Sequence, residues 1–225
     1  MKVVSGFAGC ILAMLLAAAS VRAADMEPVA TDYDWSGAYI GLHAGYLWGN
    51  VDYDEPNFSE FGLNRDGDGF IGGLYLGFNH QIGSIVLGAE ADGGLGGVDI
   101  DNDENNPNND YSAFKSEWNA HVRARLGFAM DRILFYGAGG LAITDLKVDD
   151  KDPGWGDDTQ THVGWTLGGG VEYAATDALV MRGEYLYDDY GSEDYKIGGP
   201  NPYDARASLT ASTIRVGIAY KFPVE

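Results

Sequence analysis

The chain has 225 residues, of which 34 are acidic and 14 basic, so its formal net charge at pH 7 is −20. A polyanion of this size does not bind nucleic acid through the phosphate backbone, and it does not adhere to an anionic membrane by charge alone. The single cysteine, Cys10, excludes a disulfide framework.

Residues 1–23 are predicted to be an export signal. Lys2 is followed by an uncharged run, Val3–Val21, and then by Arg22-Ala23, which places small residues around a cleavage site. We therefore predict a periplasmic N-terminal segment over residues 24–34 and one folded domain over residues 35–225. An uncleaved membrane anchor is the alternative, because an apolar run of this length just spans a bilayer.

Beyond the signal, apolar residues alternate with small, polar or charged residues with a period of two. This is the period of a β-strand, whose successive side chains point to opposite faces. Eight stretches with this pattern are predicted as strands: Trp35–Trp48, Phe70–Ile82, Ile85–Leu95, Ala113–Met130, Arg132–Leu146, Thr161–Ala174, Ala178–Tyr187 and Ala207–Phe222.

The fifth stretch, Arg132–Leu146, is apolar on both faces, so its pattern does not fix which face is which. We take Leu134, Tyr136, Ala138 and Ala142 as its outward-facing side. The other stretches have enough contrast between their two faces to set their orientation.

The predicted connections alternate in length. Three are tight turns and four are long: Gly83-Ser84, Asp131 and Ala175–Asp177 are tight, whereas Gly49–Gly69, Gly96–Ser112, Lys147–Gln160 and Asp188–Arg206 are long. Strict alternation puts all short turns at one end of an antiparallel sheet and all long loops at the other, as in outer-membrane barrels. Beyond the signal no run is long and apolar enough for a transmembrane helix, and lipid otherwise admits only closed barrels.

The sequence therefore predicts an all-β fold, an eight-stranded antiparallel up-and-down transmembrane β-barrel in the outer membrane of a Gram-negative bacterium. Outward aromatic residues should form girdles at the membrane–water interfaces. These residues are Trp35, Tyr46, Trp48, Trp118, Tyr136, Trp165, Tyr173, Tyr185, Tyr187, Tyr220 and Phe222. A soluble periplasmic barrel that binds a ligand is the alternative.

Ionisable residues of both signs fall on the predicted inward faces. They are Glu90, Asp92, Glu117, His121, Arg123, Arg125, Glu172, Arg182, Glu184, Arg215 and Lys221. An eight-stranded barrel is just wide enough for its side chains to fill it, and a buried charge must be paired. We predict an ion-pair network that largely plugs the lumen. A charged constriction that selects ions is the alternative.

Acidic residues concentrate in the predicted long loops. The spacing of Asp99, Asp101 and Asp103 is similar to a calcium-binding loop, but Glu104 stands where that loop needs glycine. We therefore predict solvated loop surfaces, with no specific metal site and no cofactor. Divalent ions held loosely by the loops near lipopolysaccharide are the alternative. The four histidines do not group with a serine and an acid in any motif, so we predict no enzyme activity.

Four segments of the predicted strands carry a resemblance to a known family. They are Asp34–Gly41, Gly164–Tyr173, Arg182–Tyr187 and Arg215–Phe222. Together they resemble the porin-like, opacity-type small outer-membrane β-barrel proteins of alphaproteobacteria. The resemblance covers the strands and hardly the long loops. It implies a structural role in envelope integrity and surface interaction. The alternatives are weak ion conduction, and adhesion or haem binding through the long loops.

The last of these segments resembles the C-terminal signal that the outer-membrane assembly machinery recognises, with Gly217, Tyr220 and Phe222 as its residues. The family usually ends on the aromatic residue, whereas Pro223-Val224-Glu225 follow it here. The implied partners are this machinery, outer-membrane lipid and lipopolysaccharide, and a surface ligand that the sequence does not identify. We predict no nucleic-acid partner and a monomer or weak oligomer.

Overall fold

The computed structural model describes residues 33–54, 62–97, 99–100, 112–150, 157–197 and 203–223. Within these ranges lie ten strands: β1 Gly37–Asp54, β2 Gly62–Ile82, β3 Ile85–Leu95, β4 Asp99–Ile100, β5 Ser112–Lys115, β6 Trp118–Met130, β7 Ile133–Asp150, β8 Asp157–Ala174, β9 Leu179–Ile197 and β10 Tyr203–Lys221. The described residues include no helix of the length and hydropathy needed to cross a membrane. The predicted export signal and residues 24–32 lie outside the described part.

The strands form one closed antiparallel sheet. Each long strand pairs with its neighbours along the chain, and β1 closes the barrel by pairing with both β2 and β10. The short strands β4 and β5 continue β3 and β6 past an interruption, and they pair with each other and with β2 and β7. The wall therefore has eight strands, and the predicted fold class is confirmed.

Several strands are longer than predicted at the long-loop end, which is extracellular in barrels of this kind. β1 has 18 residues, β2 has 21 and β9 has 19, whereas about 9–11 tilted residues cross the hydrocarbon core. The polar residues assigned to loops at Gly49–Asp54 and Asp188–Ile197 belong to strands. Pairing with neighbouring strands satisfies the backbone groups of Gly49–Asp54 on both edges, and those of Asp188–Ile197 on the edge that faces β10.

Outward side chains form an apolar belt around the barrel. On β1, Leu42 is 58% exposed and Trp48 is 40% exposed, and polar residues follow from Asn50 onward. Nine of the eleven predicted girdle aromatics are exposed on this outer surface. The exceptions are Trp35 and Tyr136, which are 1% and 7% exposed and lie inside the barrel. The prediction for these two residues is wrong.

The facing predicted for the fifth strand, β7, is also wrong. Leu134, Tyr136, Ala138 and Ala142 are all buried in the lumen, whereas Phe135 is 47% exposed on the outer surface. The lumen along β7 is lined by apolar side chains, so both faces of this strand are apolar. A pattern without contrast between faces cannot specify the facing.

A β-bulge at Ser116–Glu117 separates β5 from β6. The register with β7 shifts by one residue across it. The carboxylate Oδ1 of Asp145 accepts hydrogen bonds from the backbone nitrogens of Glu117 (3.0 Å) and Trp118 (3.2 Å). Because a bulge adds one residue to a strand, it reverses the facing of the side chains before it.

Candidate functional site

The barrel lumen is filled by three layers of side chains. An apolar cluster lies toward the extracellular end, formed by Leu47, Val51, Tyr53, Ile71, Ala142, Leu146, Tyr190, Tyr195, Ala207, Leu209 and Ala211. A second lies toward the periplasmic end, formed by Tyr33, Trp35, Tyr39, Tyr75, Val86, Ala129, Leu134, Ala174, Val180 and Ala219. A layer of charged residues, which we call the ion-pair layer, lies between the two clusters.

Glu90 stands at the centre of the ion-pair layer. Its carboxylate oxygens accept hydrogen bonds from Arg123 at 2.5 Å, Arg182 at 2.6 Å and Arg125 at 3.1 Å. The hydroxyl of Tyr39 donates a further hydrogen bond to Glu90 at 2.7 Å. One carboxylate therefore joins three guanidinium groups from two other strands, β6 and β9.

Arg215 extends the layer across the lumen from β10. Its Nη1 is 2.8 Å from Asp92, and its Nε is 2.5 Å from Glu184. Arg123 links the two halves of the layer, because its Nη1 also reaches Glu184 at 3.0 Å. His121 adds a contact of 2.8 Å between its Nδ1 and Asp92.

Glu172 completes the layer on β8. Its Oε1 lies 2.8 Å from Arg125 and 2.6 Å from Arg182. The same two guanidinium groups lie over tyrosine rings, Arg125 at 4.1 Å from Tyr136 and Arg182 at 4.1 Å from Tyr75. Planar arginine side chains suit both kinds of contact, which is why arginine and not lysine fills this layer.

The structure brings together nine of the eleven charged residues assigned to the lumen network, all except Glu117 and Lys221. The assignment of Glu117 is wrong: its side chain is 64% exposed and pairs with Lys115 at 3.3 Å outside the barrel. The bulge at Ser116–Glu117 accounts for this, because it reverses the alternation that relates Glu117 to the inward residues of β6.

Lys221 faces inward but lies below the ion-pair layer. Its Nζ donates a hydrogen bond to the backbone oxygen of Asp34 and sits 4.6 Å from the centre of the Tyr33 ring. Its assignment as a partner of the lumen carboxylates is therefore wrong. Lys221 is the last residue of β10, so its distance from the layer follows from its position along the strand.

Asp188 belongs to the lumen although the sequence pattern assigns it to a loop. It is 1% exposed, and its Oδ1 is 3.4 Å from Nε2 of His121. Because β9 continues to Ile197, Asp188 keeps the inward facing of Glu184. The signal that could have found it is its even spacing from Arg182 and Glu184.

The extracellular cluster is closed by the upper part of β9. Tyr190 and Tyr195 are 2% and 0% exposed. The hydroxyl of Tyr195 lies 2.6 Å from Nε2 of His162 on β8 and 3.3 Å from the backbone oxygen of Leu146 on β7. A residue of β9 reaches β7 only if the strand bends inward past β8, so this end of β9 covers the lumen.

The periplasmic cluster is closed by the N-terminal segment. Trp35 donates a hydrogen bond from its indole nitrogen to the backbone oxygen of Asp131 at 3.0 Å, and its backbone nitrogen donates to Gln81 at 2.7 Å. Tyr33 donates to the backbone oxygen of Asp177 at 3.3 Å. Burial raises the pKa of Tyr33 to about 12, so the hydroxyl keeps its proton. The segment thus connects three periplasmic turns across the mouth of the barrel.

Glycines on the inward face make room for the large lumen side chains. A Cβ atom added at Gly41 would overlap the ring of Tyr75, and one added at Gly77 would overlap the ring of Tyr39. Glycine at these positions lets aromatic rings lie flat against the wall of a narrow barrel.

In the described part of the chain, no three His, Cys, Asp or Glu residues are placed to hold a metal ion. The predicted calcium-like spacing falls almost wholly outside the described residues, since only Asp99 of it lies in a described strand.

The predicted assembly residues Tyr220 and Phe222 are 49% and 47% exposed on the outer surface, with ring centres 5.2 Å apart.

Comparison with known proteins agrees with the barrel architecture. A family model described as outer membrane protein beta-barrel domain matches residues 11–222. The chain is 35% identical over 199 residues to the 22 kDa outer membrane protein of Rhizobium leguminosarum bv. viciae, covering 88% of this chain and 83% of that protein. It is 33% identical over 243 residues to the 31 kDa outer-membrane immunogenic protein of Brucella melitensis biotype 1, covering 96% and 95%.

Among solved structures, the outer membrane protease OmpT of Escherichia coli is similar with a TM-score of 0.53 at 8% identity, covering 89% of this chain and 99% of that one. An identity this low concerns the fold alone. The family match and the two relatives establish the location as well as the fold. The chain belongs to the outer membrane protein beta-barrel domain family and is a β-barrel protein of the Gram-negative outer membrane.

Proposed function

We propose that this protein is a structural barrel whose lumen is sealed, and that it supports envelope integrity and carries its polar extracellular strands and loops at the cell surface. It acts without catalysis and without a cofactor. The observation that supports this most is the order of layers in the lumen, with the ion-pair layer enclosed between two apolar clusters.

The lumen is sealed because an ion crossing it would have to displace the side chains that fill it. A path through the centre of the barrel must separate guanidinium and carboxylate groups held at 2.5–3.1 Å, such as Arg123 with Glu90 and Arg125 with Glu90. Breaking one buried pair costs about 3–5 kcal/mol when its partner is left uncompensated. The path must also pass the ring of Tyr195 at one end and that of Trp35 at the other.

The apolar belt and the exposed terminal aromatics favour outer-membrane lipid and lipopolysaccharide as the surroundings of the barrel, and the assembly machinery as the partner that inserts it. The curated relatives are named as outer membrane proteins, one of them as immunogenic. Those names fit a surface-exposed structural protein. Adhesion or haem binding through the loops remains a prediction, because most of the loop residues lie outside the described part of the chain.

Planar-bilayer recording of the purified, refolded protein tests this proposal. We expect no stable conductance steps. Insertion is verified on the same sample by the shift in gel mobility between unheated and boiled protein. Reproducible ohmic steps from protein with that mobility shift would refute a sealed lumen and favour the ion-conducting alternative.

A further inference from the structure

The barrel wall is split between β8 and β9 at its extracellular end. The two strands pair from Ala174–Val180 up to Trp165–Asp189 and no further. Above that point β8 continues to pair with β7, up to the pair of Asp149 and Asp157. β9 likewise continues to pair with β10, up to the pair of Ile197 and Tyr203. In the described residues, each strand therefore has one edge without a partner.

The split arises from the inward bend of β9. The register between β9 and β10 shifts between Ser208 and Thr210, which marks a bulge opposite them on β9. Gly191 at this bulge has a φ of +67°, a left-handed conformation that favours glycine. Beyond it Tyr195 turns into the lumen and contacts His162. β9 thus closes the mouth of the barrel, and among the described residues no strand pairs with this edge of β8 above Trp165.

The hydrogen-bonding groups that face the split can be identified from the phase of β8. The backbone nitrogen of Ala174 donates to Arg132 at 2.9 Å, which directs even-numbered residues of β8 toward β7. In an antiparallel ladder the intervening residues direct their N–H and C=O groups to the other side. The register with β7 is unbroken. Thr159, Thr161 and Val163 therefore present their backbone groups to the split.

This edge lies next to the outward-facing Trp165, and the side chains along it are exposed. The side chains of Thr159, Thr161 and Val163 are exposed. The split begins beside Trp165, whose ring lies 5.6 Å from that of Tyr187 on the outer surface. A row of unpaired backbone donors and acceptors on an exposed strand is a template for a further strand.

The negative charge beside the edge favours an added strand that carries basic side chains. Glu193 and Asp194 lie on the facing segment of β9 and are both exposed. Among the described residues, Asp194 forms an ion pair at 3.6 Å with the exposed Arg206. The whole chain carries a formal charge of −20. Lysine or arginine side chains on an added strand would meet carboxylates here, and acidic ones would be repelled.

We infer that the β8 edge at Thr159, Thr161 and Val163 binds an extended, basic peptide segment by strand addition. Strand addition at this edge does not depend on whether the lumen conducts. A second copy of this chain is the competing occupant, and the experiment separates it from a peptide.

The probe is a fluorescein-labelled octapeptide of alternating lysine and threonine, titrated against the refolded protein in detergent and followed by fluorescence anisotropy. We expect saturable binding that the matched glutamate–threonine octapeptide does not show. Thr161→Pro removes one N–H that faces the split, so binding should weaken about tenfold, the effect of one hydrogen bond of about 1.4 kcal/mol. Thr161→Ala keeps the backbone donor and should bind within about twofold of the original protein.

A second readout covers the case in which Thr161→Pro does not fold. Amide hydrogen exchange at Thr159, Thr161 and Val163 of the original protein should slow when the lysine–threonine peptide is added. Unchanged exchange at these amides, equal binding of both peptides, or no binding at all would each overturn the inference. Disulfide-linked dimers of Val163→Cys without peptide binding would overturn it in favour of a second copy.

Discussion

Substituting Glu90 by glutamine would test how strongly the ion-pair layer holds the barrel together. Glu90 is 2% exposed, and its carboxylate contacts Arg123, Arg125 and Arg182 at 2.5–3.1 Å. Glutamine keeps the shape and removes the charge. Three guanidinium groups would then share the remaining carboxylates. The side-chain amide of the glutamine would also direct its N–H groups toward the positively charged guanidinium groups.

The size of the effect follows from burial. Removing one partner of a buried ion pair costs about 3–5 kcal/mol, because the other charges stay out of water without compensation. With a urea dependence of about 2 kcal/mol per molar, the unfolding midpoint of Glu90→Gln should fall by about 2 M. We expect tryptophan fluorescence in phospholipid vesicles to report this transition, since the chain has five tryptophans.

Glu117→Gln is the matched control. It is the same chemical change at a carboxylate that sequence alternation assigns to the same network, but its side chain is 64% exposed and its partner Lys115 is 54% exposed. An exposed pair contributes about 0–1 kcal/mol, so the midpoint should hardly move. Equal shifts for the two variants, or a shift below about 0.3 M for Glu90→Gln, would refute the reasoning about the ion-pair layer.

Three further predictions concern the wall, the periplasmic plug and assembly. Gly73→Ala should fail to refold, because the added Cβ would overlap a backbone oxygen of β3, whereas Gly183→Ala, with no atom within 4 Å, should refold with normal yield on unheated gels. Trp35→Ala should lower the unfolding free energy by about 3–5 kcal/mol, and the outward-facing Trp165→Ala should lower it by a smaller amount. A larger loss for Trp165→Ala than for Trp35→Ala in urea titrations would contradict the role of Trp35 in closing the periplasmic end of the lumen. Phe222→Ala should reduce the outer-membrane fraction in cells while refolding in detergent is kept; equal losses in both would assign Phe222 a role in stability instead of recognition.

The eight-stranded barrel was predictable because a period of two recurs in seven strands with a clear contrast between faces. Nine of the residues of the ion-pair layer follow from the same alternation, and Asp188 on β9 joins them beside His121. β7 has no such contrast, since Leu134 and Ala142 face apolar clusters that only the closed barrel creates. The predicted inward facing of Glu117 is wrong because of the bulge before β6. This bulge is stabilised by the distant Asp145 and leaves no local mark in the sequence.

The seals at both ends of the lumen depend on contacts between residues that are far apart in the chain. Trp35 reaches Asp131, and Tyr195 reaches Leu146 and His162. Neither contact has a signature in local periodicity, because it arises where a terminal segment or a bent strand crosses an end of the barrel. The extended lengths of the strands escaped prediction for a related reason: cross-strand pairing, and not apolar alternation, keeps β9 ordered up to Ile197.

The accessibility of the lumen to water-soluble reagents tests the sealed barrel most directly. Thr166 and Thr161 lie on the same strand with opposite facing: Thr166 is 2% exposed inside the lumen, and Thr161 is exposed outside. From Ala24 onward the chain has no cysteine, so each position can be replaced by cysteine singly and treated with a charged methanethiosulfonate. We expect Thr161→Cys to react fully and Thr166→Cys to stay unmodified until urea unfolds the barrel. Rapid modification of Thr166→Cys in the folded protein would contradict a sealed lumen.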